Sequence, residues 1–361
     1  RGEGVWLYGP GGEAYLDVYN NVACVGHSHP RVVEAIARQA ATLNTHTRYL
    51  TDLVVDYAER LAAILPPELG RLMFTCTGSE ANDLALRIAR ARTGGTGVIV
   101  TANAYHGVTA AIAELSPSLG PANPLGDHVR VVPVVGFAAA VRAALADMQA
   151  SGIRPAALLV DTIFSSDGVF DDVPDFGEAV AAVRAAGGIF IADEVQAGFS
   201  RTGVAWGFQR HGLSPDLVTM GKPMGNGHPV AGVAARPEVV EAFGREVRYF
   251  NTFGGNPVSC AAGLAVLDVI RDEGLEANAR EVGAYLRERL APFGGVRGAG
   301  LFVGLQLESA DEATRVVQAL RERRVLISAT GPRGDALKIR PPLVFSRANA
   351  DQFIEALSAV V

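Results

Sequence analysis

Between Arg71 and Ala235 the chain repeats one pattern: a short run of apolar, largely β-branched residues, then a longer stretch with apolar positions at helical spacing. The runs are RLMFTC (71–76), GVIVT (97–101), VRVVPV (129–134), AALLVD (156–161), GIFIADE (188–194), DLVTMG (216–221) and VAGVAA (230–235). They lack a regular polar alternation, which marks strands covered on both faces. Helical stretches separate several of them, among them ANDLALRIARA (81–91), FAAAVRAALADMQA (137–150) and FGEAVAAVRAAG (176–187). Strand and helix in alternation predict an α/β fold built on a mostly parallel seven-stranded sheet.

After Pro257 the pattern changes. A long helix (258–273) leads into a second (280–290), then GVRGAGLFVGLQL (295–307), a helix over 311–323, and two strand-like runs, RVLISA (324–329) and LKIRPPLVF (337–345). This reads as a smaller α+β lobe. GVWLYGPGGEAYLDV (4–18) reads as a hairpin that returns to it. The expected division is therefore 1–39 with the small domain, 40–257 as the large domain, and 258–361 as the rest of the small one. No repeat or low-complexity tract interrupts the chain.

At 361 residues and 49 % hydrophobic content, the chain can bury a large core. A formal charge of −6 argues against nucleic acid or an anionic membrane as partner. No apolar run approaches the roughly 20 residues of a membrane-spanning helix. Three scattered cysteines (Cys24, Cys76, Cys260) point to reduced thiols and a cytoplasmic setting, and no His/Cys cluster suggests a metal site. The chain begins at Arg1 rather than methionine, from which an upstream segment is expected.

The cations change the picture most. Only two lysines, Lys222 and Lys338, stand against thirty arginines. Arginine stays protonated, whereas a lysine amine can lose its proton and attack a carbonyl. Lys222 sits where an apolar run breaks into a Gly/Pro-rich loop, VTMGKPMGNGHP (218–229). That placement suits a Schiff-base lysine.

Other segments carry chemistry only in combination. Asp193 and Glu194 end a predicted buried strand, the edge where ligands bind in open α/β sheets. A carboxylate there is costly unless a cation partners it, and a pyridinium nitrogen would suit Asp193. Gly78 and Ser79, after strand 71–76, precede a helix whose free amides would take an anion; ordinary capping fits the same residues. Tyr105, in NAYHGVT (103–109), could stack on a planar ring or simply pack in its loop. Thr252, in YFNTFGGNPVSC (249–260), offers a hydroxyl as a second phosphate donor.

Taken together, ADEVQ, MGKP and NTFGGNP at this spacing resemble the class III aminotransferases, the pyridoxal-phosphate enzymes of fold type I, over essentially the whole chain. The resemblance implies pyridoxal 5'-phosphate as cofactor and Lys222 as its Schiff-base lysine and later the catalytic base. It makes Asp193 the partner of the pyridine nitrogen. Val195 and Tyr105 would pack on the two ring faces and Gln196 would approach the ring hydroxyl. Gly78 and Ser79 would form the phosphate cup, completed by Thr252 of a neighbouring subunit, so that a homodimer shares its active sites. No G-x-G-x-x-G follows the first predicted strand, which sets dinucleotide binding aside.

Longer stretches, among them residues 20–50 and 324–343, are similar to the phospholyase branch of that family, which releases phosphate and ammonia from a phosphorylated amino alcohol. Class III aminotransferases usually carry an arginine for the substrate carboxylate just before a Pro-Pro pair. Here the stretch is Lys338-Ile339-Arg340-Pro341-Pro342, with a lysine in that arginine's place. An ammonium is a poor substitute for a planar fork, although Arg340 could supply one. The expected activity is thus elimination from a phosphorylated amine such as phosphoethanolamine. The alternative is an ω-aminotransferase that passes the amino group to a keto acid. Arg48, in NTHTRYL (44–50), is a candidate for the substrate phosphate and equally fits a surface arginine paired with Asp52. Asp161-Thr162 stands where many family members have Glu-Pro, and the regions near residues 135–136 and the N-terminus look shorter than the family outline.

Overall fold

A computed structural model describes residues 1–361. All seven apolar runs form strands of one seven-stranded sheet, in the order Arg71–Thr75, Ala231–Ala235, Leu217–Met220, Ile189–Asp193, Pro155–Asp161, Gly97–Thr101, Val129–Val132. Ala231–Ala235 runs antiparallel to both neighbours, and the remaining pairings are parallel. The absence of polar alternation has the expected cause. Ile189 and Ile191 join one apolar cluster, while Phe190 and Ala192 join another across the sheet. The helix Gly78–Thr93 covers the first face with Leu84, Ala85, Ile88 and Ala89. On the second face Phe137, Phe164, Phe176 and Phe190 pack edge to face, with ring centroids 5.3–5.9 Å apart.

Two four-stranded sheets form the smaller body. One joins the chain's two ends: the hairpin Trp6–Tyr8 and Ala14–Asp17 pairs in parallel with Val325–Leu326, Val325 opposite Leu16. The other is antiparallel, in the order Gly295–Ala299, Phe302–Gln306, Ala336–Ile339, Ser328–Thr330. RVLISA is therefore not one strand, as its apolar content suggests. It breaks at Ile327, with Val325–Leu326 in the first sheet and Ser328–Thr330 in the second. Each half finds a different set of backbone partners, and a continuous apolar run carries no mark of that division.

The long helix Pro257–Asp272 begins on two sequence-encoded signals. Asn256 Oδ1 accepts from the Ser259 amide at 3.0 Å, and Pro257 occupies the first turn, where its missing N–H is harmless. Cys24, Cys76 and Cys260 are all free thiols. No helix is long and apolar enough to cross a membrane.

Close backbone contact joins the two bodies at Gly300, which is itself packed against Gly283 on the helix Leu275–Leu290. A β-carbon on Gly283 would run into the Gly300 carbonyl, and Gly300, at φ +54°, lies in turn against the backbone of Arg201–Gly203. Neither backbone can yield by rotating a side chain. Gly283→Ala is therefore expected to destabilise the protein by about 1–3 kcal/mol through overpacking. Thermal denaturation against the parent chain measures it, and an unchanged midpoint would contradict the contact.

Candidate active site

Loops leaving the C-terminal edge of the seven-stranded sheet enclose a cavity of about 180 Å³. Gly78, Ser79, Tyr105, Asp193, Val195, Gln196 and Lys222 all line it, together with Asn82, His106, Gly107 and Asp161. Residues from five separate stretches of sequence thus converge.

The helix Gly78–Thr93 begins at Gly78, earlier than its apolar periodicity suggests, because Thr77 is the capping residue. Thr77 Oγ1 accepts from the Glu80 amide at 3.1 Å, and Glu80 Oε2 accepts from the amides of Thr77 and Cys76, both at 2.9 Å. The amides of Gly78 and Ser79 have no intrahelical acceptor by geometry and belong to the cavity wall, an arrangement suited to an anion. The backbone comes close here. A β-carbon on Gly78 would sit 3.0 Å from Val195, and one on Gly107, whose φ is +137°, would sit 2.7 Å from the Ser79 Cα.

Asp193 is only 4 % exposed. Its Oδ2 accepts from His106 Nδ1 at 2.7 Å and Asn82 Nδ2 at 2.9 Å, and its Oδ1 accepts from the Val195 amide at 3.1 Å. Burial alone would raise its pKa. The hydrogen bonds and the His106 ring outweigh that and hold the carboxyl below its usual range, ready for a cationic ring nitrogen. Its neighbour Glu194 is held differently. It is fully buried and finds no cation, contrary to the expectation from sequence that a carboxylate here needs one. Oε1 accepts from Thr162 Oγ1 at 2.6 Å and the Phe208 amide at 2.9 Å, and Oε2 from the Gly207 amide at 2.7 Å. Burial still prevails over these donors and raises its pKa to about 7.

Lys222 is partly buried in the same cavity. Burial lowers its ammonium pKa, Asp193 works against the shift, and Arg340 adds to it. The result is an amine closer to its neutral, nucleophilic form than a surface lysine.

Beyond Lys222 the strand Ala336–Ile339 presents its outer face. Alternation puts Leu337 and Ile339 into the core and turns Lys338, and Arg340 two residues on, the other way. Both cations are buried, each 7 % exposed. Arg340 Nη1 donates to Asn21 Oδ1 at 3.0 Å and to Gln196 Oε1, its guanidinium lies 4.3 Å from the centre of the Tyr19 ring, and its Nε has no partner. Lys338 Nζ stands 5.8 Å from the centre of the Phe302 ring. No carboxylate ion-pairs with either. Gln196, bonded to Arg340, Asn21 and Ser165 Oγ, links this cationic face to the cavity.

Two sequence candidates lie elsewhere in the chain. Thr252 is exposed in a groove with Glu80, Asp83, Arg87 and Thr109, outside the cavity wall. Arg48 is exposed too, with its guanidinium 4.2 Å from the centre of the Phe250 ring and no ion pair to Asp52. Four participants had not been singled out: Asn82, His106, Tyr19 and Asn21. Asn82 did carry a signal, a polar residue on the apolar face of its helix. His106 adjoins Tyr105 in the Tyr-His-Gly motif, but nothing in the sequence aims it at Asp193. Asp161, where Glu-Pro is usual, accepts from the amides of Ile163 at 3.1 Å and Ser165 at 3.0 Å and closes the cavity with an acid.

Free amides for a phosphate, a carboxylate for a protonated ring nitrogen and a lysine for a carbonyl together fit pyridoxal phosphate. Comparison with known proteins agrees. The Aminotransferase class-III family matches residues 1–361. A phospholyase from Arthrobacter, solved in complex with phosphoethanolamine, is 44 % identical with a TM-score of 0.96, covering 100 % of this chain and 94 % of that one. Alanine–glyoxylate aminotransferase 2-like of Drosophila melanogaster is 40 % identical over 408 residues, 100 % of this chain and 82 % of that protein. Ethanolamine-phosphate phospho-lyase homolog 1 of Caenorhabditis elegans is 37 % identical over 404 residues, 99 % of this chain and 86 % of that protein. This chain belongs to the class III aminotransferase family, the pyridoxal-phosphate-dependent enzymes of fold type I.

Proposed function

We propose that this protein is a phospholyase, eliminating phosphate and ammonia from a phosphorylated amino alcohol such as phosphoethanolamine and leaving an aldehyde. The observation that carries this reading is the pair Lys338 and Arg340: two buried cations side by side, neither with a carboxylate partner. Buried unpaired charge is costly, and each of these cations makes the other costlier. An incoming phosphate, with a charge of about −1.5 to −2, neutralises both, whereas a carboxylate neutralises one. The likeness to a phospholyase solved with phosphoethanolamine supports the same branch. The alternative, transfer of the amino group to a keto acid, is the activity named for the Drosophila relative.

When bound, pyridoxal phosphate supplies an electron sink for the bond electrons released at the substrate carbon beside nitrogen. The Gly78 and Ser79 amides would hold its phosphate, Asp193 its ring nitrogen, Val195 and Tyr105 its two faces, and Gln196 its hydroxyl side. Lys222 Nζ would anchor it and then take the proton from that carbon. Asn82 and His106 keep Asp193 ionised and aimed.

Borohydride is expected to fix the cofactor covalently on Lys222, read as a mass shift on that peptide. A shift on the Lys338 peptide, or on none, contradicts the assignment. Lys222→Ala should abolish turnover and still bind cofactor.

The active unit is proposed to be a homodimer. Leu50 is 91 % exposed, Phe253 70 % and Tyr49 65 %, an apolar strip that also bears Thr252 and Arg48. A second copy seated there would bring Thr252 to its partner's phosphate site and Arg48 towards the entrance. Thr252→Ala should then weaken cofactor retention by about 1.5–3 kcal/mol, one hydrogen bond to a charged acceptor. A fully active monomer in sedimentation would refute this.

Reaction type is separated by supplying phosphoethanolamine without any keto acid. Inorganic phosphate, ammonia and acetaldehyde should accumulate over many turnovers. Turnover that requires pyruvate or 2-oxoglutarate, with no phosphate released from any phosphorylated amine, would establish the aminotransferase instead.

A further inference from the structure

Resting on the phospholyase reading, we propose that Lys338 is the general acid of the elimination, giving its ammonium proton to the bridging oxygen of the departing phosphate. The chemistry requires such a donor. A phosphate monoester has a second pKa of about 6 and reacts as the dianion at neutral pH. When the carbon–oxygen bond breaks, its electron pair stays on oxygen. Without a proton the fragment leaves as a trianion, a strongly basic and poor leaving group.

Few groups near Lys222 can supply that proton. Arg340 holds its own at any working pH. Asp161 accepts from backbone amides, and Asp167 accepts from Thr101 Oγ1 at 2.6 Å and the Asn103 amide at 2.8 Å, so both act as acceptors. Lys222 is engaged at the carbon. Tyr19, under the Arg340 guanidinium, is the rival on the cationic face.

Lys338 lies behind the cavity wall and is linked to it through Arg340, whose Nη1 donates to the wall residue Gln196. It pairs with Gly304 and Ser328 in the centre of its sheet, on the face that also bears Arg340. Its ammonium stands beside the Phe302 ring with no ion pair. Burial first, then Arg340 and Lys222, lower its pKa to about 7, against the opposing pull of Asp161 and Asp167. That value suits proton donation near neutrality. The chain uses arginine at thirty of its thirty-two lysine and arginine positions; the two lysines are Lys222, in the cavity wall, and Lys338, buried on the strand face that bears Arg340.

The step balances as follows. A proton leaves the carbon beside nitrogen for Lys222 Nζ, and its electron pair forms the new double bond. The carbon–oxygen bond breaks, Lys338 Nζ protonates that oxygen, and hydrogen phosphate departs. Neutral Lys338 then regains a proton from water.

The test uses the holoenzyme and two substrates, phosphoethanolamine and 2-chloroethylamine, whose chloride needs no proton to leave. Lys338→Arg keeps the charge and loses the donor. Its KM for phosphoethanolamine should stay within several-fold while kcat falls on the order of 10²–10⁴-fold. Enzyme-dependent chloride release, above the spontaneous cyclisation of the free amine, should change no more than several-fold, which also shows that the variant is folded. Phosphate release by Lys338→Arg near the parent rate, or an equal loss with both substrates, overturns the proposal, as does the same selective loss appearing in Tyr19→Phe instead. Acetic anhydride labelling of the holoenzyme across pH reads Lys338 directly. Half-modification near pH 7 supports the assignment, and titration near the ordinary lysine value of about 10.4 overturns it. A parent enzyme that releases chloride but no phosphate refutes the phospholyase reading itself, whatever the variants do.

Discussion

Asp193 is tied into the structure by bonds that join four segments at the large sheet's ligand edge. His106 and Asn82 both donate to one of its oxygens, Asn82 also donates to the His106 carbonyl at 2.7 Å, and Thr219 Oγ1 donates to Asn82 Oδ1 at 2.7 Å. Four segments are thereby locked together: the strand Ile189–Asp193, the helix Gly78–Thr93, the loop after Gly97–Thr101 and the strand Leu217–Met220. Each would otherwise leave a polar group buried without a partner, so the knot is satisfied as a unit or fails as one. Its product is a carboxylate that stays ionised while almost fully buried.

Around that knot the charges are sorted. Acids cluster on the large sheet's edge, at Asp161, Asp193 and Glu194, and cations arrive from the smaller body, at Lys338 and Arg340. Lys222 lies between and feels both, Asp193 raising its pKa and Arg340 lowering it. Arg201, fully enclosed, donates from Nη1 to the carbonyls of Leu301 and Pro341, which fixes the turn just past Arg340 to the large body. The position of the cations relative to the cavity thus depends on a contact between the two bodies, backed by the glycine-to-backbone approach at Gly283 and Gly300.

Much of this was legible in the chain. Seven buried strands announce themselves because a strand covered on both faces does not alternate, and stretches of helical period separate several of the runs. Lys222, Asp193 and the Gly78–Ser79 turn were legible because the strands they follow run in one direction, which brings their C-terminal ends to the same edge of the sheet. The split of RVLISA was not legible, because both halves are apolar and only their partners differ. Nor was the fate of Glu194, whose three donors come from residues 162, 207 and 208.

What the sequence determined by itself was therefore local: which segments are strands, which residue types stand at their ends, and that a lysine replaces arginine at only two places. The tertiary structure decided which charges share a field. Asn82 lies 111 residues from Asp193 and Arg340 lies 319 residues from Asn21, yet each pair is within hydrogen-bond distance. Side-chain chemistry and periodicity act over a few residues and can be read along the chain. The potential at Lys222 or Lys338 is a sum over groups brought close in space, and that sum exists only once the two bodies are packed.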